Sequence, residues 1–442
     1  MSEKFPLKKR HYSLVEGLFN ETQQDLPESG MRRRAIAMGF LEKFLHLPQQ
    51  PSMTPSADGS LEAIIFTIPD HVLEGTDNPL WKAYKDLFLK LPVYTQLQLM
   101  VHEQVAEEVA LWLQQNGLEQ KAHLHKVPSH YHMYIWAEDA YEVITDKSDG
   151  KRYLVQPHSN RRGADSLVSY LTSRALGHTR VTIPLYFEGG NILIGDDFFL
   201  MGADYGIDSM LDLKGVLPLQ NGVSATETVA KLFKQYFDKE RRLIFVGSTL
   251  YVPGEEIRKF RKNGIEWTET FHTKNQEGTV QPLFHIDMFI TLAGRNSQGQ
   301  YQLVVGDTRM AAELLGEELM QYSIPDVFDD IAEYLQGLGF VVYRNPLPVT
   351  CLDDEEKKTR KWYYATSNNA LVEIKSIQDK TIWLPSYGHG SWPELKKTDE
   401  ANRQLWEELG FRVVMLEDFH PFAENSGSVH CIKKYLQRGN MN

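Results

Sequence analysis

An α/β fold made of five pseudo-symmetric strand-strand-helix-strand units around a central channel is the architecture this chain predicts. Three observations carry it. Apolar runs of strand character recur along the sequence, each followed by an amphipathic helical pattern and a closing strand. The helical stretches place apolar residues three and four apart, as at Val327, Ile331 and Leu335, and give way to a β-rich run within a few residues. At 442 residues, with 42% hydrophobic and 11% aromatic content, the chain can also bury a large repeat-built core.

The first unit, 61–127, opens with LEAIIFTI, passes through helical VHEQVAEEVALWLQQNG and closes with KAHLHKV. The second, 133–187, has a hairpin at YEVITDKSDGKRYLV with Asp149-Gly150 in its turn region, a helix ADSLVSYLTSRAL ended by Gly177, and the strand TRVTIPLYF. In the third, 191–246, NILIGDDFFLMG precedes the helix TETVAKLFKQYFDKE and the strand RRLIFV. The fourth, 284–345, runs from HIDMFITLAG through YQLVVGD and IPDVFDDIAEYLQGLG to FVVYRN. The fifth, 361–417, reads KWYYATSNNALVEI, TIWLPSY, TDEANRQLWEELG and FRVVMLE. Residues 1–60 lie outside the repeat body, 61–442. They hold a basic amphipathic helix, with Ile36, Phe40, Leu41, Phe44 and Leu45 on one stripe, and a Pro-rich connector. That stripe is expected to pack on the repeats; the alternative is a helix that binds a partner or dimerises the chain into a homodimer. The insertion 247–283 is expected to be a lid.

Four short patches carry chemistry: WAED at 136–139, FEGGN at 187–191, FHID at 284–287 and VHC at 429–431. Together they suit attack on the central carbon of a guanidinium. That reaction needs a strong nucleophile, for which Cys431 is the candidate thiolate. It needs a proton shuttle, which the imidazole of His285 can be, and a group to orient that imidazole, Glu188. It also needs planar acceptors for the cationic head, supplied by Asp139 and Asp287. His285 and Asp287, two apart in an apolar run, are expected on one face of a strand.

These residues resemble the guanidino-group-modifying enzymes of the pentein superfamily: agmatine, arginine and protein-arginine deiminases and the amidinotransferases. FEGGN looks like the Glu-Gly-Gly motif of that family, FHID like its His-x-Asp, and SVHC like its C-terminal His-Cys. The resemblance spans roughly residues 130–435 and implies an α/β-propeller. It implies Cys431 as nucleophile, His285 as acid/base, Glu188 as its partner, and Asp139 and Asp287 as the guanidinium clamp. Trp136, Gly189 and Asn191 are expected beside the clamp as substrate-binding residues. Two departures stand out: Glu138 precedes Asp139 where agmatine deiminases usually carry Arg, and Asn425-Ser426-Gly427-Ser428 replaces their glycine run. The function implied is a hydrolase giving a ureido product and ammonia. An amidinotransferase and an inert binding module are the alternatives, and agmatine, free arginine, a methylated arginine and protein arginine all stay open as substrates.

No cofactor or metal is expected. His123, His125, His130 and His132 could form a metal hairpin, but a solvated strand edge fits them better. His389 and His420 are unassigned loop residues near the expected channel mouth, and Cys351 reads as a small buried hydrophobe. The net charge of −12 argues against nucleic acid and is compatible with a cationic substrate. Without a long apolar run or a signal-like N-terminus, and with two cysteines, the expectation is a cytoplasmic protein that does not enter a membrane.

Overall fold

The computed structural model describes residues 48–158, 160–213 and 223–441; the N-terminal amphipathic helix lies outside them. The described chain is a mixed α/β fold in which six sheets form. Five of the six share one pattern, an antiparallel pair extended by a parallel strand that returns after a helical crossover. In one, Glu142–Asp146 and Arg152–Pro157 form the hairpin, the helix Asp165–Leu176 crosses, and Thr179–Ile183 pairs in parallel. Gly177 ends that helix with φ of 67°, the left-handed turn its sequence position predicts. The pattern recurs at Ile192–Ile194, Phe198–Gly202 and Arg242–Val246. Ile290–Arg295, Tyr301–Asp307 and Val341–Pro346 repeat it, as do Leu371–Ile374, Lys380–Ser386 and Arg412–Asp418. Lys380–Ser386, flanked on both sides, is buried at every residue, as a central strand must be.

The fifth sheet of this kind joins the two sequence extremes. Lys433–Arg438 pairs antiparallel with Leu61–Ile68, which pairs in parallel with Gln96–His102 and, through it, with Ala122–Val127. Residues 61–127 therefore do not close a unit alone. Their hairpin partner comes from beyond residue 417, where the repeat was expected to stop.

Several elements differ from the sequence expectation. QLQLMVH is a strand that the expected unit did not contain; its last two residues, Val101 and His102, fell in the expected helix, which begins only at Ala106. Pro79–Lys90, Ala203–Leu213 and Thr308–Leu315 are additional helices. The first starts with Pro79 behind an Asn78 cap, a start signal that a one-helix-per-unit template passes over. Part of the Pro-rich connector, Pro51–Met53, is an edge strand on Glu142–Asp146. The insertion contributes a hairpin, Glu256–Lys262 and Ile265–Phe271, turned at Asn263-Gly264 with φ of 52° and 79°. That hairpin joins Val349–Asp354 and Thr359–Tyr364 in the sixth sheet, which splits the 361–374 run between two sheets. Among the described residues no helix is long and apolar enough to cross a membrane.

Candidate active site

The site is built on two matching turns. Glu188 and His285 each hold extended backbone, φ/ψ −135°/144° and −129°/143°, and each leads into a single 3₁₀ turn, Gly189–Asn191 and Ile286–Met288. His285 and Asp287 thus share a turn rather than one face of a strand, as the strand begins only at Ile290. Asp139 comes from the loop before Glu142–Asp146, and Cys431 from the loop before Lys433–Arg438. The four sequence patches converge although they are up to about 300 residues apart.

Asp139, Glu188, His285, Asp287 and Cys431 are each 4% exposed or less. His285 Nε2 donates to Glu188 Oε2 at 2.9 Å, and the Tyr205 hydroxyl lies 2.6 Å from that oxygen and 2.8 Å from Nε2. The other ring nitrogen, Nδ1, has no hydrogen-bond partner and faces Asp139 Oδ1 at 3.8 Å. On the nucleophile side, Cys431 Sγ is 3.4 Å from Asp287 Oδ2 and 3.1 Å from Asn369 Nδ2. Asn369 Oδ1 also accepts the Cys431 N–H at 3.2 Å, so one amide grips both ends of the residue. Asp287 Oδ2 is hydrogen-bonded to His430 Nδ1 at 2.9 Å.

Two arginines, Arg161 and Arg162, complete the cluster. Arg161 Nε donates to Glu188 at 3.1 Å, and an Arg162 terminal nitrogen donates to Asp139 Oδ2 at 2.8 Å. Asp139 therefore already holds a guanidinium, one belonging to the chain itself.

Burial, followed by the Asp287 and Asp139 carboxylates, pushes the Cys431 thiol well above its ordinary range, so at rest it is protonated. Asp287 is likewise driven up by burial and then by Asp139 and Glu138. Burial also opposes ionisation of Glu188, but the Arg161 guanidinium and the His285 hydrogen bond win, and its carboxyl is held well below the usual range. Burial keeps His430 neutral.

Glycine is required at both positions of the Glu-Gly-Gly patch for space. A Cβ on Gly190 would meet His285 Nδ1, Asp139 Oδ1 and Asp287 Oδ2; one on Gly189 would strike the Glu138 carbonyl and the Lys434 ammonium. Gly190 thus faces the His285 imidazole and the two aspartates, whereas Gly189, expected to bind substrate, packs against Glu138 and Lys434. Asn191 is also a scaffold residue by its contacts. Its Oδ1 accepts from the Ile286 N–H at 3.0 Å and from Gln281 Nε2 at 2.9 Å, bracing the two turns together. Trp136 packs under Gly427 at the approach to Cys431. Lys274, from the insertion, reaches over Trp136 and Phe284, with Nζ 5.8 Å and 4.9 Å from their ring centres, and donates to the Asn425 carbonyl at 2.5 Å.

Asp139, Glu188 and His285 lie close enough to share a metal ion, but arginine guanidiniums occupy both carboxylates. His123 and His125 lie along Ala122–Val127, with Nε2 atoms engaged by Gln96 and Gln98 at 3.1 and 2.7 Å. Those contacts fit the strand-edge reading. His420 is sandwiched between the Tyr363 hydroxyl and the Tyr387 carbonyl and stacks on Trp392. Cys351 lies in the sixth sheet opposite Trp362. Sequence reasoning missed Tyr205, Asn369, Arg161 and Arg162. GADYG, SNNAL and SNRRG contain no spacing that announces them, and only the fold delivers them.

No protein-family model and no curated protein sequence matches the chain. Solved structures do. A Porphyromonas gingivalis protein assigned as an arginine deiminase aligns with a TM-score of 0.57 at 14% identity, over 89% of this chain and 100% of its own. The C. jejuni agmatine deiminase gives 0.56 at 14%, over 88% and 97%. The Enterococcus faecalis agmatine deiminase gives 0.55 at 12%, over 88% and 96%. Nearly full coverage of each neighbour means that the likeness extends across the whole arrangement of sheets, and the chain has the fold of the agmatine and arginine deiminases.

Proposed function

We propose that this protein is a guanidine deiminase working through a covalent Cys431 intermediate. The observation that carries the reading is the convergence of a buried thiol, an oriented imidazole and two carboxylates within one desolvated site. The five hairpin-helix-strand sheets support arranging those residues as a pentein-type propeller of five units around a channel.

A substrate guanidinium would take the place of the Arg162 head on Asp139 and bridge to Asp287, while Arg162 falls back on Asp165, 2.9 Å from its Nε. The incoming cation favours the thiolate that burial and the carboxylates disfavour. The Cys431 proton passes to the bare His285 Nδ1 as the substrate docks, and the sulfur attacks the guanidinium carbon. His285 Nδ1, bare on the substrate side, delivers a proton to the departing nitrogen, and the C–N bond breaks to leave an amidino-thioether. The same nitrogen then takes a proton from water, hydroxide adds to the carbon, the C–S bond breaks, and the proton returns to the sulfur. The sum is guanidine plus water giving a ureido product and ammonia. Glu188 and Tyr205 keep Nε2 fixed throughout, so that Nδ1 stays aimed at the substrate.

The test is incubation with agmatine, free arginine, a methylated arginine and an arginine peptide in oxygen-18 water. One labelled oxygen in each ureido product, with one equivalent of ammonia or amine released, is the expected result. Transfer of the amidino carbon to added glycine, ornithine or putrescine, without oxygen-18 uptake, would make it an amidinotransferase. Turnover of none of the panel would leave a binding module.

A further inference from the structure

Four buried charges between the clamp and the nucleophile have no part in that chemistry. Glu138, Glu142, Lys433 and Lys434 are all under 4% exposed. Glu138 directly precedes Asp139, and Lys433 and Lys434 follow Cys431 by two and three positions. Lys433 Nζ donates to Glu138 Oε2 at 2.6 Å; Lys434 Nζ donates to Glu138 Oε1 at 3.1 Å and pairs with Glu142 Oε2 at 2.9 Å. The backbone adds to these ties, since the Glu138 N–H donates to the Cys431 carbonyl at 3.2 Å and Lys434 Nζ reaches the Glu138 carbonyl at 3.3 Å. Gly189 packs against the same atoms, where any Cβ would strike the Glu138 carbonyl and the Lys434 ammonium. The clamp loop, the Glu188 turn and the nucleophile loop therefore meet at one neutral cluster of two acids and two bases.

A buried ion pair is poor value for stability alone, because desolvation consumes most of the Coulomb gain. What it does supply is direction. Each ammonium has oxygen partners at fixed positions, and a slip of either loop would leave a charge unpaired in a dry interior. Near-attack geometry is sensitive on that scale, with about 1 Å of misplacement able to cost roughly a hundredfold in rate.

We propose that Glu138, Lys433 and Lys434 are positioning residues that set the distance and angle between the Asp139 carboxylate and the Cys431 sulfur. The assignment rests on Cys431 being the nucleophile proposed above. It concerns geometry, since none of the three is placed among the reacting groups.

Two alkylating agents separate geometry from folding. Chloroacetamidine must seat its amidinium on the clamp before Cys431 can displace chloride, whereas iodoacetamide needs only the thiolate. The ratio of their inactivation rate constants at Cys431, located by peptide mapping, therefore reports clamp-to-sulfur alignment. In wild type the ratio is expected to favour chloroacetamidine strongly. In Glu138→Gln and Lys433→Met it should fall about tenfold or more. Over the same change kcat should drop roughly a hundredfold with KM within about threefold, and Lys433→Arg should recover most of both. If the single variants do not fold, the double variant Glu138→Gln, Lys433→Met leaves Lys434 paired with Glu142 and carries the same measurement. Folded variants that keep the wild-type ratio, or lose both reactivities in parallel, would overturn the proposal. A wild-type enzyme labelled no faster by chloroacetamidine would instead bring down the guanidine-site reading on which it rests.

Discussion

A thiol that is buried and flanked by carboxylates is a weak nucleophile until a cation arrives. For Cys431 this makes reactivity conditional on occupancy. Iodoacetamide alone should modify it slowly at neutral pH and faster as pH rises, because the raised thiol pKa leaves little thiolate near pH 7. Cys431→Ala should abolish turnover. Cys351→Ala should not, as that residue sits in the sixth sheet away from the reacting groups, and residual activity in the first variant would end the covalent mechanism. Tyr205 gives a second prediction at this scale. Tyr205→Phe removes the hydroxyl 2.8 Å from His285 Nε2 and 2.6 Å from Glu188 and should lower kcat by roughly ten- to a hundredfold with little change in melting temperature, measurable by steady-state kinetics and calorimetry. The candidate site residues that the fold brings together were readable in the sequence because chemistry restricts their types: a Cys, a His and acids in short patches. Tyr205 and Asn369 were not. A hydroxyl or an amide that only steadies another group carries no motif of its own, and their partners lie 80 and 62 positions away.

Elements translate those residues into geometry. The two 3₁₀ turns hold Glu188 and His285 in the same backbone conformation, and Asn191 locks one turn to the other. Gly190 is the point of closest packing. Gly190→Ala should therefore cost more than a hundredfold in kcat while the protein stays folded, because the new methyl displaces the imidazole rather than the core. An alanine variant with near wild-type turnover would mean that His285 moves on substrate binding. The Asp149-Gly150 hairpin was legible because its turn marks itself, whereas Asn263-Gly264 carries the same signal inside an insertion that was read only as a lid. The strand Gln96–His102 was passed over, and its last two residues read into the helix, because its apolar run continues without a break into a genuine helical pattern. Glu188 and His285 were expected at strand ends, but each instead leads into a 3₁₀ turn that precedes a strand, and a three-residue turn is too short to carry a period, so that geometry was invisible.

For the molecule as a whole, buried carboxyls set the pH response. Burial raises Asp58 and Asp399 to about 6, and Glu142 and Asp165 to about 7. A carboxyl raised by folding contributes stability that is full below its unfolded value near 4 and is lost as pH climbs through the folded value. Glu188 and Asp353 act in the opposite sense, being held down by Arg161 and Arg360 and losing their contribution in acid. The melting temperature should thus peak near about pH 5 and fall by several degrees by about pH 8. Differential scanning calorimetry decides it, and a melting temperature still rising between about pH 6 and 8 would mean that these carboxyls are ionised in the fold.

The pairing of Lys433–Arg438 with Leu61–Ile68 has a consequence in time. Contacts such as Gln437 to Glu62 span 375 positions, so closing that loop costs on the order of 5 kcal/mol of chain entropy before any contact repays it. During synthesis the earlier sheets can form as they emerge, but Leu61–Ile68 waits for a neighbour that is made nearly last. Cys431, the proposed nucleophile, arrives with that neighbour, two residues ahead of it. On the proposed mechanism, a nascent or C-terminally clipped chain can therefore possess folded sheets, clamp and imidazole and still be inert, and the protein becomes chemically competent only at the moment Lys433–Arg438 meets Leu61–Ile68.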